Sequence, residues 1–157
     1  CSTTQALAGS TGSITCPTRS SLDDGDTFTL DDGVTSVTFE IDTDMMATVT
    51  MGNRRVDLSS GGGSAADVCD AIRASFTGLM GFTITVGGSG STASLTSSVA
   101  GSRGNTNSTS SDTDLVVSNM AGGRARDCAM GVGCASTNDC APGLTCQPSM
   151  SGGLTCQ

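Results

Sequence analysis

The chain contains no histidine, lysine, tryptophan or tyrosine, and Glu40 is its only glutamate. Each absence removes a chemistry. Without His there is no Ser-His-Asp or Cys-His site, and without Lys there is neither a Schiff base nor a Ser-Lys pair. Without Trp or Tyr the aromatic platforms that sugar sites commonly use are missing. No apolar run approaches the ~18 residues that would span a bilayer as a helix. Positive charge is scarce: all seven basic residues are Arg, against 15 acidic ones, giving a net charge of −8 and a pI of about 4.1. Such a balance repels phosphate backbones, so nucleic acid is not an expected partner.

What is present is cysteine. There are eight in 157 residues, and five of them, Cys128, Cys134, Cys140, Cys146 and Cys156, fall in the last 30. An even count in an acidic chain reads as a disulfide framework from an oxidising compartment, so Cys1, Cys16 and Cys69 are expected to pair as well. The five-residue gaps in the tail do not match the tight C-x2-C knuckles of zinc sites. Cys1 and Cys16 lie a short loop apart and are the favoured pair; a bridge from Cys69 to the tail, with Cys128 as its partner, would clamp the two regions together. A chain starting at Cys1 followed by Ser-Thr-Thr also fits a processed lipoprotein, which makes Cys1 a candidate for a lipid. The four aromatics are Phe28, Phe39, Phe76 and Phe82. A core built otherwise from aliphatics and seven Met is thin, and cross-links or association are the usual remedies.

Three regions are expected: an extended Ser/Thr/Gly-rich arm over residues 1–21, a β-rich domain over 22–126, and a disulfide-stapled tail over 127–157. Asp26 to Leu30 and Val34 to Ile41 alternate polar and apolar around Asp31-Asp32-Gly33, which predicts a hairpin. Ala47 to Met51 and Arg54 to Leu58 flank Gly52-Asn53 and predict a second one. Ser64 and Asp67 open a capping-box-like helix over 64–77, with Ala65, Val68, Cys69, Ile72 and Phe76 on one face. Phe82 to Val86 is a strong strand, Ala93 to Thr96 a weaker one, Ser97 to Thr113 a loop, and Leu115 to Ser118 a last strand. The fold class is therefore α+β, mainly β, with short antiparallel strands, one packed helix and a cysteine-rich tail.

The runs Asp24 to Leu30, Gly33 to Ile41, the Ala-Ala-Asp-Val helix from Ala65, and Val99 to Asn105 resemble a module repeated in large bacterial extracellular and phage-tail-like proteins. The likeness covers about residues 22–123 and implies a β-rich structural role. The tail from Cys134 to Cys146 is similar to short cysteine-rich repeats of secreted proteins of bacteria such as myxobacteria, which implies secretion and cross-linking. The module normally recurs in tandem, whereas this chain has one copy, so an array would require association.

Asp23, Asp24, Asp26, Asp31 and Asp32 cluster around two adjacent turns and are the candidate calcium ligands, although hairpin-turn preference alone explains Asp-Gly there. Asp24 with Asp26, or Asp42 with Asp44, would be the only acid and base for an enzyme, and their turn positions offer nothing to raise one pKa. No enzyme activity, cofactor or membrane span is expected. Asn107-Ser108-Thr109 is a glycosylation sequon in a loop rich in hydroxyls. Thr3, Ala6, Leu7 and Ile14 of the arm are the expected assembly residues, adding as a strand to a neighbouring copy. The functional expectation is a secreted structural protein, subunit of a self-assembling extracellular filament or surface fibre stabilised by disulfides, with copies of itself as partner. The alternative is a monomeric cell-surface lipoprotein or adhesin-like binding module.

Overall fold

A computed structural model describes residues 8–44, 49–124, 131–134, 140, 144–150 and 152–157. The protein is mainly β. One four-stranded sheet has the order β4-β3-β2-β7, from β2 (Thr27–Asp31), β3 (Ser36–Asp42), β4 (Arg54–Asp57) and β7 (Thr109–Ser110). A second has the order β5-β6-β1-β8, from β1 (Gly9–Thr15), β5 (Ile84–Gly87), β6 (Thr92–Ala100) and β8 (Val116–Val117). The helix α1 (Ala65–Ser75) packs on β4 of the first sheet and β6 of the second, while β7 and β8 lie together on the other side. A separate hairpin, β9 (Cys146–Pro148) with β10 (Leu154–Cys156), forms in the tail.

The alternation read in the sequence builds the first sheet. Phe28 and Leu30 point inward from β2, and Phe39 and Ile41 from β3, with Phe28 directly opposite Phe39. Their rings stack at 4.7 Å, and Phe39 stacks in turn on Phe76 at 4.7 Å, which meets Phe82 at 6.5 Å. All four aromatics thus form one run through the core, each stacked pair contributing about 1 kcal/mol beyond its burial. The helix begins where expected, with a complete capping box between Ser64 and Asp67, and buries Val68, Cys69 and Ile72 against both sheets.

Three expectations are corrected. The arm is not an arm from Gly9 onward: Gly9–Thr15 is an inner strand, paired with β6 on one side and β8 on the other, and Ile14 is buried in the chain's own core instead of being presented to a neighbour. Thr3, Ala6 and Leu7 lie outside the described residues. Small residues are what this strand needs. A Cβ on Gly9 would sit 2.2 Å from the Ser97 carbonyl oxygen, and Ser10 Oγ donates to the Gly104 carbonyl at 2.6 Å in a layer too tight for larger groups. Next, of the hairpin expected around Gly52-Asn53, Ala47 and Thr48 lie outside the described residues, Val49 to Met51 form no strand, and β4 runs parallel to β3, with Phe39 opposite Arg54. Glu40 holds the connection: its carboxylate accepts from the Thr50 amide at 3.1 Å and from Asn53 Nδ2 at 2.6 Å, which also keeps its pKa low. Lastly, the weak strand at Ala93 to Thr96 is part of a nine-residue inner strand, and the stretch read as a loop holds the end of β6 and all of β7.

Candidate functional site: acidic turns and the disulfide framework

The five candidate calcium ligands do not converge as a set. Asp32, only 1 % exposed, spends both carboxylate oxygens on the protein: Oδ1 accepts from the amides of Val34 and Thr35, and Oδ2 from the amide and hydroxyl of Thr83 at 2.7 and 2.9 Å. Burial by itself would raise its pKa, but the amides of Thr35, Thr83 and Val34 and the Thr83 hydroxyl outweigh it, so the carboxyl sits below its ordinary value. It ties the β2–β3 turn to the chain entering β5, one sheet to the other. Asp31 Oδ1 accepts from the Gly33 amide, and Asp26 Oδ2 from the Asp23 amide at 2.8 Å. These are turn-forming bonds of the kind Asp is selected for.

Among the described residues, the carboxylates that do come together are Asp24, Asp42 and Asp44, with ligand oxygens within 4.8 Å of one another. None of the three is free. Asp42, fully buried, accepts from Arg55 Nε through Oδ2 and from the Asp44 amide through Oδ1 at 3.1 Å; Asp24 Oδ1 accepts from the Thr43 amide at 2.9 Å. The same group contains both residues of one imagined acid-base pair, Asp42 and Asp44, yet Asp42 is bonded to a guanidinium. The sequence spacing of Asp23 to Asp32 gave no hint of this grouping, since β3 and the turn before β2 meet only in the fold.

Six cysteines lie in described segments and all are paired. Cys16 joins Cys69 across a separation of 53 residues, tying the end of β1 to the inner face of α1. This replaces both the expected Cys1–Cys16 bridge and a bridge from Cys69 to the tail. Within the tail Cys134 pairs with Cys146 and Cys140 with Cys156, so the two bridges interleave. Three of those sulfurs, Cys134, Cys140 and Cys156, lie within 4.8 Å of one another and are consumed as disulfides. Residues 131–134 run beside β10 as a third strip: the Cys156 amide donates to the Val132 carbonyl at 3.0 Å, and the Cys134 amide to the Leu154 carbonyl at 3.1 Å. Cys140 and Cys156 form a small core of their own with Val132 and Leu144, separate from the main one. Cys1 and Cys128 lie outside the described residues. A set of bridges this dense fits an oxidising environment.

Two concave surfaces flank α1. One, of about 220 Å³, is lined by Arg54, Arg55, Asp57 and Ala71 between β4 and the helix. Arg54 there donates Nε to the Ser75 carbonyl at 2.7 Å and Nη2 to that of Thr77, capping the helix C-terminus. The other, of about 320 Å³, lies beside β5 and mixes apolar Phe76, Leu79, Phe82 and Val86 with Arg73, Thr77 and Thr85. Neither the helix cap nor this groove was legible as a motif. Of the sequon, Asn107 and Thr109 are exposed, and the Ser108 amide donates to Asn119 Oδ1 at 2.9 Å. No helix among the described residues is long and apolar enough to cross a membrane. Compared with known protein families, curated proteins and solved structures, the chain finds no match.

Proposed function

We propose that this chain is an extracellular structural subunit that associates with copies of itself into a filament or surface fibre, its subunits hardened by disulfides. The observation that carries the reading is the disulfide framework, which staples both the main core and the tail in a chain whose composition lacks the usual catalytic side chains. Cross-links of this kind stabilise by typically 2–4 kcal/mol each, large against a net stability of about 5–15 kcal/mol. The sheets are open, so strand edges are parts that would meet a neighbour, whereas Gly9–Thr15, an inner strand, is already paired on both sides.

Electron microscopy of the purified protein before and after reduction tests the proposal. Regular filaments are the expected result, and their survival or loss on reduction separates bridges that hold the assembly from bridges that hold only its subunits. Uniform small particles at every concentration would overturn it. They would favour instead a monomeric surface binding module, for which one observation speaks: the β9–β10 hairpin exposes Met150 and Leu154 on a compact, doubly bridged body.

A further inference from the structure

The outer edge of β5 carries backbone groups that the molecule does not use. Ile84 lies opposite Ser97 and Val86 opposite Leu95, and the Ser98 amide donates to the Thr83 carbonyl at 3.0 Å. In an antiparallel ladder the bonded pairs alternate, so Thr83, Thr85 and Gly87 turn their backbone polar groups toward β6, whereas Ile84 and Val86 turn theirs outward. Among the described residues no hydrogen bond outside the ladder engages Ile84 or Val86.

Natural edges are blunted by charge, proline or a covering segment. The other edges of this protein show such devices. β4 carries Arg54, Arg55 and Asp57; β8 follows Asp112 and Asp114 and meets β7; the Ser108 amide beside β7 is taken by Asn119. β5 itself carries neither charge nor proline, and the one cation that reaches it, Arg73, does so only at Gly87, its last residue. From Ala74 to Ser102 the chain contains no charged residue and no proline. Arg73, just before this stretch, is held by Asp70 and by the carbonyls of Gly87, Gly90 and Thr92. Next to the edge lies the groove in which Phe76, Leu79, Phe82 and Val86 sit among Arg73, Thr77 and Thr85, and Met80, in the same stretch of chain, is 95 % exposed.

We propose that β5 is a self-pairing edge that takes β5 of a second copy, antiparallel, about a two-fold axis at Thr85. Charge selects the occupant. Two copies each carrying −8 repel, and an edge whose own segment, 74–102, carries no acidic residue and whose neighbouring charge is the cation Arg73 is where they meet without opposing carboxylates. The register is self-complementary: with Thr85 on the axis, Ile84 faces Val86 of the second copy, and each outward N–H meets an outward carbonyl. The β5-β6-β1-β8 sheet of each copy becomes half of a continuous one across the pair, and the half-covered apolar side chains beside the edge are shielded. The inference deepens the self-association proposed above and rests on it. Because it is read on soluble protein, loss of the pair and absence of filaments are separate results.

The test is sedimentation of the full chain over a dilution series, after filaments have been spun out. The expected species is twice the 15.5 kDa chain mass at the upper concentrations, dissociating on dilution. Val86→Pro removes an outward N–H while leaving the bonds to β6 in place, and Thr85→Lys sets two ammonium groups against each other on the axis; each is expected to weaken the pair by about tenfold or more with unchanged circular dichroism. If Val86→Pro loses its strand signal, Thr85→Lys decides, because Thr85 is exposed and its substitution leaves the core untouched. A wild type that stays monomeric throughout, or a pair that a folded Thr85→Lys variant leaves intact, would overturn the proposal.

Discussion

Replacing Cys16 and Cys69 together by Ala removes the one described bridge of the main core without leaving a free thiol. The bridge spans 53 residues, and the loop-closure entropy of a chain segment that long, between about 3 kcal/mol for 15 residues and 4.7 for 100, comes to about 4 kcal/mol. Both sulfurs are buried, so their loss also costs packing, which makes this figure a floor. For a chain of this size each kcal/mol moves the midpoint by about 2–4 °C, so the double variant is expected to melt roughly 8–16 °C lower. With no Trp or Tyr to report fluorescence, the assay is urea unfolding by far-ultraviolet circular dichroism together with calorimetry. The companion variant lacks Cys134 and Cys146, a separation of only 12 residues within a core of its own. It is expected to loosen the tail by about 3 kcal/mol while leaving the main transition where it was. A loss below about 1 kcal/mol for the first variant, or a main-core shift as large for the second, would refute the reasoning that the two bodies are stapled independently.

Asp32→Asn is expected to destabilise the protein at neutral pH by roughly 3 kcal/mol, since an amide cannot accept all the donors that the buried carboxylate satisfies. The folded-state pKa of Asp32 lies below its unfolded value, so its contribution is complete above about pH 4 and is lost as pH falls through the folded value. Stability curves of wild type and variant should therefore converge on acidification, and a gap that stays constant down to strongly acid pH would show that the carboxylate is not the source. Gly9→Ala places a methyl against the Ser97 carbonyl and is expected to cost about 1–3 kcal/mol by thermal melting. Deleting residues 1–21 should abolish folding altogether, because it removes an inner strand; a cooperative melt in the truncated chain would contradict the placement of β1.

Periodicity made part of this fold legible. The β2–β3 hairpin, the helix and β5 alternate or repeat large apolar residues at their structural period, and their positions followed directly. β1 was opaque for a physical reason. Gly9, Ser10 and Gly12 are there because Ser97, Gly104 and Met120 press against them, and a strand chosen for close approach carries no apolar pattern of its own. Gly52-Asn53 has the chemistry of a hairpin turn, yet here Thr50 and Asn53 are bonded to Glu40 of β3 and β4 pairs with β3 in parallel. Cysteine count announced a framework but could not assign its partners, since Cys16 and Cys69 meet only when α1 is laid between the sheets. The acidic turns were legible as turns; the grouping of Asp24 with Asp42 and Asp44 was not, being a product of tertiary packing.

The inner position of the first strand bears on the order in which the molecule can form. Gly9 must wait for Ala100, and Ile14 for both Ala93 and Val117, so β1 finds its partners only when residues far along the sequence are present. Such long sequence separations slow folding, because each closure costs chain entropy before any contact repays it. Until then β2, β3 and the helix stand without the second sheet that buries them. A chain arranged this way closes its second sheet last at β1, where strands from both ends of the described fold must be present together.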